Sequence, residues 1–100
     1  MLTKNHIIEQ LKRHKQDIAR FGVNTIGLFG SYVREESTPE SDIDILIDFE
    51  KGKTTFDNYM NAYDLLEEIF TGEKVSIVTM GGLSKYIGPY ILKEVENVCL

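Results

Sequence analysis

Apolar positions along this chain recur at helical and strand periods in turn, which predicts helices alternating with strands. Thr3 can cap a helix whose apolar face is Ile7, Leu11, His14 and Ile18, running to about Arg20 and ended by Gly22. Val23 to Phe29 reads as a first strand. A polar loop then runs through Pro39 to a second strand, Asp42 to Phe49. Within it, Ile45, Leu46, Ile47 and Phe49 make the near-continuous apolar run of a strand covered on both faces. Lys51-Gly52-Lys53 is a turn. The next helix, about Thr55 to Phe70, carries Phe56, Tyr59, Met60, Tyr63, Leu66, Ile69 and Phe70 at spacings of three and four, a stripe that predicts core packing. Gly72 stops it. Lys74 to Thr79 is a third strand and Gly81-Gly82 a joint. A helical segment from Leu83 is interrupted at Gly88-Pro89, because proline is tolerated without a kink only in a first turn, and resumes over Tyr90 to Val95. Tyr86 and Tyr90 lie four apart, either packed on the sheet or forming an aromatic contact surface for a partner.

These elements predict an α+β domain: a small mixed sheet of about three strands with helices mainly on one face, the whole of residues 1–100 forming one domain. No stretch approaches the ~20 apolar residues of a membrane span, and Met1-Leu2-Thr3-Lys4 leads into an amphipathic pattern without a signal-peptide core, so a cytoplasmic protein is expected. The single cysteine, Cys99, excludes an intrachain disulfide and a cysteine metal cluster, and reads as a small apolar residue. His6 and His14 have no ligand partner at metal spacing and receive no role.

Net charge of −5 changes the picture of what is bound. Nucleic-acid affinity comes mainly from Lys and Arg neutralising phosphates, and the basic residues here are densest between Lys12 and Arg20, mixed with Asp17, as on a solvated helix face. A nucleic-acid substrate is therefore not expected. A small nucleotide carried with its metal, or a protein partner, suits an acidic surface better.

The candidate chemistry lies in Gly30 to Asp44. Asp42 and Asp44 project from one face of a strand, roughly 6–7 Å apart at their Cα atoms. Carboxylates so close repel unless a cation or proton lies between them. Ahead of them, a strand ends in Gly30-Ser31 and opens into residues able to make a helical turn, Tyr32 to Glu36. Unpaired backbone N–H groups and the Ser31 hydroxyl can hold phosphate oxygens there, and Ser31 can equally cap the turn. Carboxylates suited to Mg²⁺ behind a phosphate cradle suit metal-assisted nucleotide chemistry, because that ion commonly bridges carboxylates to a nucleotide's phosphates.

Gly30-Ser31, ten intervening residues and Asp42-Ile43-Asp44 resemble the motif of the DNA-polymerase-β-like nucleotidyltransferases. The wording of the segment, with Arg34 after the turn and Pro39-Glu40-Ser41 before the acids, is similar to the minimal nucleotidyltransferase (MNT) group, and the resemblance extends more weakly over nearly the whole chain. It implies a palm-like fold in which Gly30 and Ser31, with Arg34, bind the triphosphate of ATP while Asp42 and Asp44 bind Mg²⁺ and carry catalysis. It also implies a partner, a HEPN-domain toxin, to whose tyrosine the MNT antitoxin transfers AMP. Homo-oligomerisation stays open.

One departure from the family pattern bears on activity. The family places a third acid on a later strand, where this chain reads Lys74-Val75-Ser76-Ile77-Val78 and Ser76 takes that position. A serine hydroxyl is a weak ligand and no general base near neutral pH. Along extended strands, Glu73 falls about 10 Å from the Ser76 position and Asp48 roughly 13 Å from Asp44, so neither replaces it. The alternative to a slow enzyme is then a catalytically impaired antitoxin that neutralises its partner by contact.

Overall fold

The computed structural model describes residues 2–100. Two helices, α1 (Lys4–Arg13) and α2 (Lys15–Ala19), precede strand β1 (Val23–Phe29), followed by β2 (Ile43–Phe49), helix α3 (Phe56–Ile69), β3 (Val75–Thr79), a 3₁₀ turn (Met80–Gly82), helix α4 (Gly88–Glu94) and β4 (Glu96–Cys99). The sheet order is β3-β2-β1-β4, with β1 antiparallel to both β2 and β4, and β2 parallel to β3. A small mixed sheet with helices mainly on one face is as the sequence pattern predicts.

The alternation along β2 divides the core. Ile43, Ile45 and Ile47 face α1, α2 and α3, where Ile7, Leu11, Ile18, Ala62 and Leu66 join them in one buried cluster with Ile26 and Leu28 of β1. Residues of the other parity face α4: Leu46 packs with Phe29 and Ile91, bordered by Val78, Met80, Leu83 and Val95. β2 is therefore covered on both sides over its centre, which is why it reads as a continuous apolar run. Each large side chain fully withdrawn from water here contributes about 1.5–3 kcal/mol.

Both long-helix starts are capped as their sequences predict. The Thr3 hydroxyl accepts from the His6 N–H at 3.2 Å, and the Thr55 hydroxyl from the Asn58 N–H at 3.1 Å. Pro89 sits in the first turn of α4, where its missing N–H costs no hydrogen bond, so the helix starts at Gly88 and Val95 is already extended.

The structure corrects five expectations. The first helix is two, because at His14 the backbone leaves the helical region (φ −101°, ψ 14°), while Ile7, Leu11 and Ile18 still reach one core. The sheet has a fourth strand, β4, paired to Thr25–Leu28 where a sheet of three was expected. Cys99 lies exposed on that strand rather than packed as an apolar residue. Phe56 begins α3 but points out, 77% exposed, leaving Ala62, Leu66 and Phe70 as its buried positions. Tyr86 and Tyr90 are each 75% exposed, so they are not packed on the sheet.

Candidate functional site

The predicted residues meet at one end of the sheet, where β1 finishes and β2 and β3 begin. Asp44 is paired across to Phe29 of β1 on one side and to Ser76 of β3 on the other. Period-two alternation puts Asp44, with Ser76, on the α4 face of the sheet rather than on the larger core. Asp42 lies just before β2 and is exposed, while Asp44 is half-buried. Ser76 therefore stands directly beside Asp44, as its place in the sequence pattern requires, and no register shift brings Glu73 to that position.

Gly30 follows β1 with φ at +81°, a conformation that an L side chain adopts only with strain. A Cβ there would overlap the Asp44 carboxylate, with Asp44 Cγ at 2.9 Å and Cβ at 3.1 Å. Glycine is thus required twice, for the turn and for the close approach of the carboxylate to the backbone.

Beyond it the chain makes one tight helical turn. The N–H groups of Val33 and Arg34 both donate to the Gly30 carbonyl at 3.1 Å, and that of Glu36 reaches back to the Ser31 carbonyl at 2.9 Å. Glu35 takes the left-handed conformation (φ 60°), so this six-to-one bond is the closing bond of a Schellman motif. The predicted turn over Tyr32–Glu36 is present and stops after one turn. It directs Arg34 back over the site.

The Arg34 guanidinium is held by two carboxylates. Its Nε donates to Glu36 Oε1 at 3.0 Å, and its Nη1 donates to both Glu94 oxygens at 3.0 Å. Glu94 also accepts from the Gly30 N–H at 2.6 Å. This last residue of α4 was missed by sequence reasoning. It lies 64 residues from Gly30, and nothing in the local sequence marks it out.

The Asp44 carboxyl is pushed above its ordinary pKa, first by burial and then by the charge of Asp42, with Glu94 adding and Arg34 opposing. Among the described residues no three His, Cys, Asp or Glu side chains are grouped to hold a metal ion. The pair Asp42 and Asp44 fits an ion that takes its remaining oxygens from a phosphate and water, as Mg²⁺ does. A cleft of about 460 Å³ opens beside the pair, lined by Asp42, Tyr63, Glu67, Glu73, Lys74 and Ser76 among others. No helix among the described residues is long and apolar enough to cross a membrane.

Residues 5–99 match the family model described as polymerase beta, nucleotidyltransferase. The protein adenylyltransferase MntA of Thermococcus cleftensis is 40% identical over 99 residues, covering 98% of both chains. A candidate protein adenylyltransferase of Methanocaldococcus jannaschii is 38% identical over 99 residues, covering 97% of this chain and 95% of that one. Among solved structures, a candidate minimal nucleotidyltransferase superposes with a TM-score of 0.80 at 27% identity, covering 95% of each chain. A toxin–antitoxin structure with AMP-PNP superposes with a TM-score of 0.65 at 21% identity over 96% of this chain and 72% of that one, a likeness of fold. A Gly-Ser turn closed against an aspartate pair, a mixed palm-like sheet and a family match over nearly the full length agree, and the chain belongs to the polymerase-β-like nucleotidyltransferases, within their minimal group.

Proposed function

We propose that this nucleotidyltransferase moves AMP from ATP to a hydroxyl on a partner protein, a tyrosine of a HEPN-type toxin, and so acts as the antitoxin of a pair. The observation that carries the reading is the closure of Gly30 on Asp44, which sets backbone donors of the Gly30-Ser31 turn against the aspartate pair. The naming of relatives at 38–40% identity as protein adenylyltransferases supports the adenylyl group and the protein acceptor. That a neighbour in fold is a toxin–antitoxin protein with AMP-PNP supports the partner.

In this reading Gly30, Ser31 and Arg34 hold the phosphates, and Asp42 and Asp44 hold Mg²⁺. When bound, that ion supplies charge neutralisation on the phosphates and acidifies the attacking hydroxyl. The acceptor oxygen bonds to the α-phosphorus as the bond to the β-phosphate oxygen breaks. Pyrophosphate leaves with the electron pair and the hydroxyl proton passes to solvent, because Ser76 is no base. The chain's own part is positioning: a fixed turn, a fixed carboxylate pair and an arginine over the phosphates. ATP as donor sets the reaction in the cytoplasm.

A second reading has its own observation. Ser76 sits beside Asp44 where the family pattern has an acid, and the loss of a general base typically costs about 10²–10⁴ in rate. Under this reading the protein neutralises its partner by contact. The two are separated by the intact mass of the co-purified partner after incubation with ATP and Mg²⁺, using wild type and Asp42→Asn. Adenylyl-sized additions that vanish in the variant are expected; a stable complex with no added mass in either would leave contact alone.

A further inference from the structure

Glu94 holds two of the donors assigned above to a nucleotide's phosphates, the Gly30 N–H and Arg34. Its carboxylate takes the Gly30 N–H at 2.6 Å and the Arg34 Nη1 at 3.0 Å through each oxygen. A carboxylate bound this way to a backbone amide and a guanidinium imitates the binding of a phosphate oxygen edge. The single Gly30 N–H and the Arg34 Nη1 protons are directed at Glu94 and cannot at the same time serve a second anion; the Nη2 group of Arg34 takes no part in that contact.

The placement also works against a purely structural role. Helix α4 is already anchored through Ile91, packed with Phe29 and Leu46, so it does not depend on Glu94 to stay on the sheet. A carboxylate that occupies the phosphate donors on a helix already anchored by Ile91 acts as a placeholder rather than a tether.

We propose that Glu94 is an internal competitor for the phosphate cradle, which keeps Gly30 and Arg34 ordered without nucleotide, swings out when a polyphosphate enters, and thereby sets how tightly the nucleotide is held. The inference rests on the reading of Gly30 and Arg34 as phosphate donors given above. Polyphosphate then binds at the expense of Glu94's hydrogen bonds, and removing the carboxylate's charge strengthens binding.

The test measures Mg²⁺–tripolyphosphate binding by calorimetry to wild type, Glu94→Gln and Glu96→Gln. Glu96 pairs with Lys4 at 3.0 Å, so its replacement makes the same change of net charge without touching Arg34 or Gly30. Glu94→Gln should bind about tenfold more tightly than wild type, the scale of a lost hydrogen bond to a charged group, and Glu96→Gln less than about twofold. Equal or weaker binding by Glu94→Gln, or an equal gain in both variants, overturns the proposal. In wild type the ¹³C shift of the Glu94 carboxyl should move as tripolyphosphate saturates the protein; a stationary signal overturns it without recourse to any variant. Adenylyl transfer from ATP is followed separately. No adenylyl transfer by the wild type alongside tighter tripolyphosphate binding by Glu94→Gln would sink the transferase reading and leave the competitor standing, and transfer by the wild type with no gain in Glu94→Gln binding would do the reverse.

Discussion

Replacing Gly30 with alanine isolates how much of the site depends on a missing Cβ. Two separable costs follow from its geometry. An alanine at φ +81° pays for the left-handed conformation, about 1–2 kcal/mol. Its Cβ also meets Asp44, with Cγ at 2.9 Å and a carboxylate oxygen nearer still, so the aspartate or the turn must shift, an overpacking cost of about 1–3 kcal/mol. Gly52 supplies the control: its φ is +80° and nothing lies within 4 Å of the place its Cβ would take. Gly52→Ala should therefore show only the conformational cost, while Gly30→Ala shows both. The excess, at about 4–8 °C in Tm per kcal/mol for a chain of this size, is measurable by thermal and urea unfolding. In an Asp44→Ala background the overlap with the carboxylate disappears and only the 3.1 Å approach of the residue-44 Cβ remains, so Gly30→Ala should fall close to the cost of Gly52→Ala. If Gly30→Ala is no more damaging than Gly52→Ala, or its excess survives removal of the Asp44 side chain, the close approach of turn and carboxylate does not constrain this position and the reasoning fails.

Three further outcomes are expected. Asp44 has its folded-state pKa raised, mainly by burial, so ionising it in the fold is a cost that is absent below its unfolded pKa of about 3.9 and complete above the folded value; Asp44→Asn should be the more stable protein at pH 7, with its advantage in Tm shrinking toward pH 3, and an advantage that does not vary with pH would contradict this. Ser76→Asp should raise the rate of nucleotidyl transfer, by as much as about 10²–10⁴ if it restores a general base, and an unchanged initial rate would remove Ser76 from any account of weak activity. Thr55→Ala should cost about 1 kcal/mol in urea unfolding through the lost cap to the Asn58 N–H, with transfer unaffected after correction for the folded fraction.

What could be read in the sequence was whatever repeats or sits at a fixed local spacing. β2 announced itself because both its faces are covered, and the helices because Ile7 and Leu11, or Leu66 and Phe70, recur at helical intervals. The Gly-Ser turn and the aspartate pair were legible because one β-hairpin-like connection between β1 and β2 brings them together, so their spacing in sequence fixes their meeting in space. β4 escaped because Glu96-Asn97-Val98-Cys99 is an edge strand with one buried residue, Val98, too little for a period to show. Phe56 misled because it continues the helical stripe at the end of α3 where there is no sheet left to cover it. Glu94 was out of reach for a different reason. Its role is a single contact across the fold, and a single contact leaves no periodicity to find.

The charges at the site also explain why a strongly acidic chain can serve a polyanionic substrate. Arg34 is paired with Glu94 and Glu36, while Asp44 feels the negative charges of Asp42 and Glu94 with Arg34 opposing them. A bare triphosphate entering this field meets repulsion from the aspartates and competition from Glu94, with one arginine to offset them. The same field favours a divalent cation, since Asp42 and Asp44 repel each other and a cation between them relieves that repulsion. Cation and polyphosphate should therefore bind with positive coupling, each lowering the cost of the other's entry, and the coupling should be reciprocal in magnitude. On the proposed function, an acidic surface is then no obstacle to nucleotide binding; it makes the metal complex, rather than the free anion, the species expected to bind at this turn and aspartate pair.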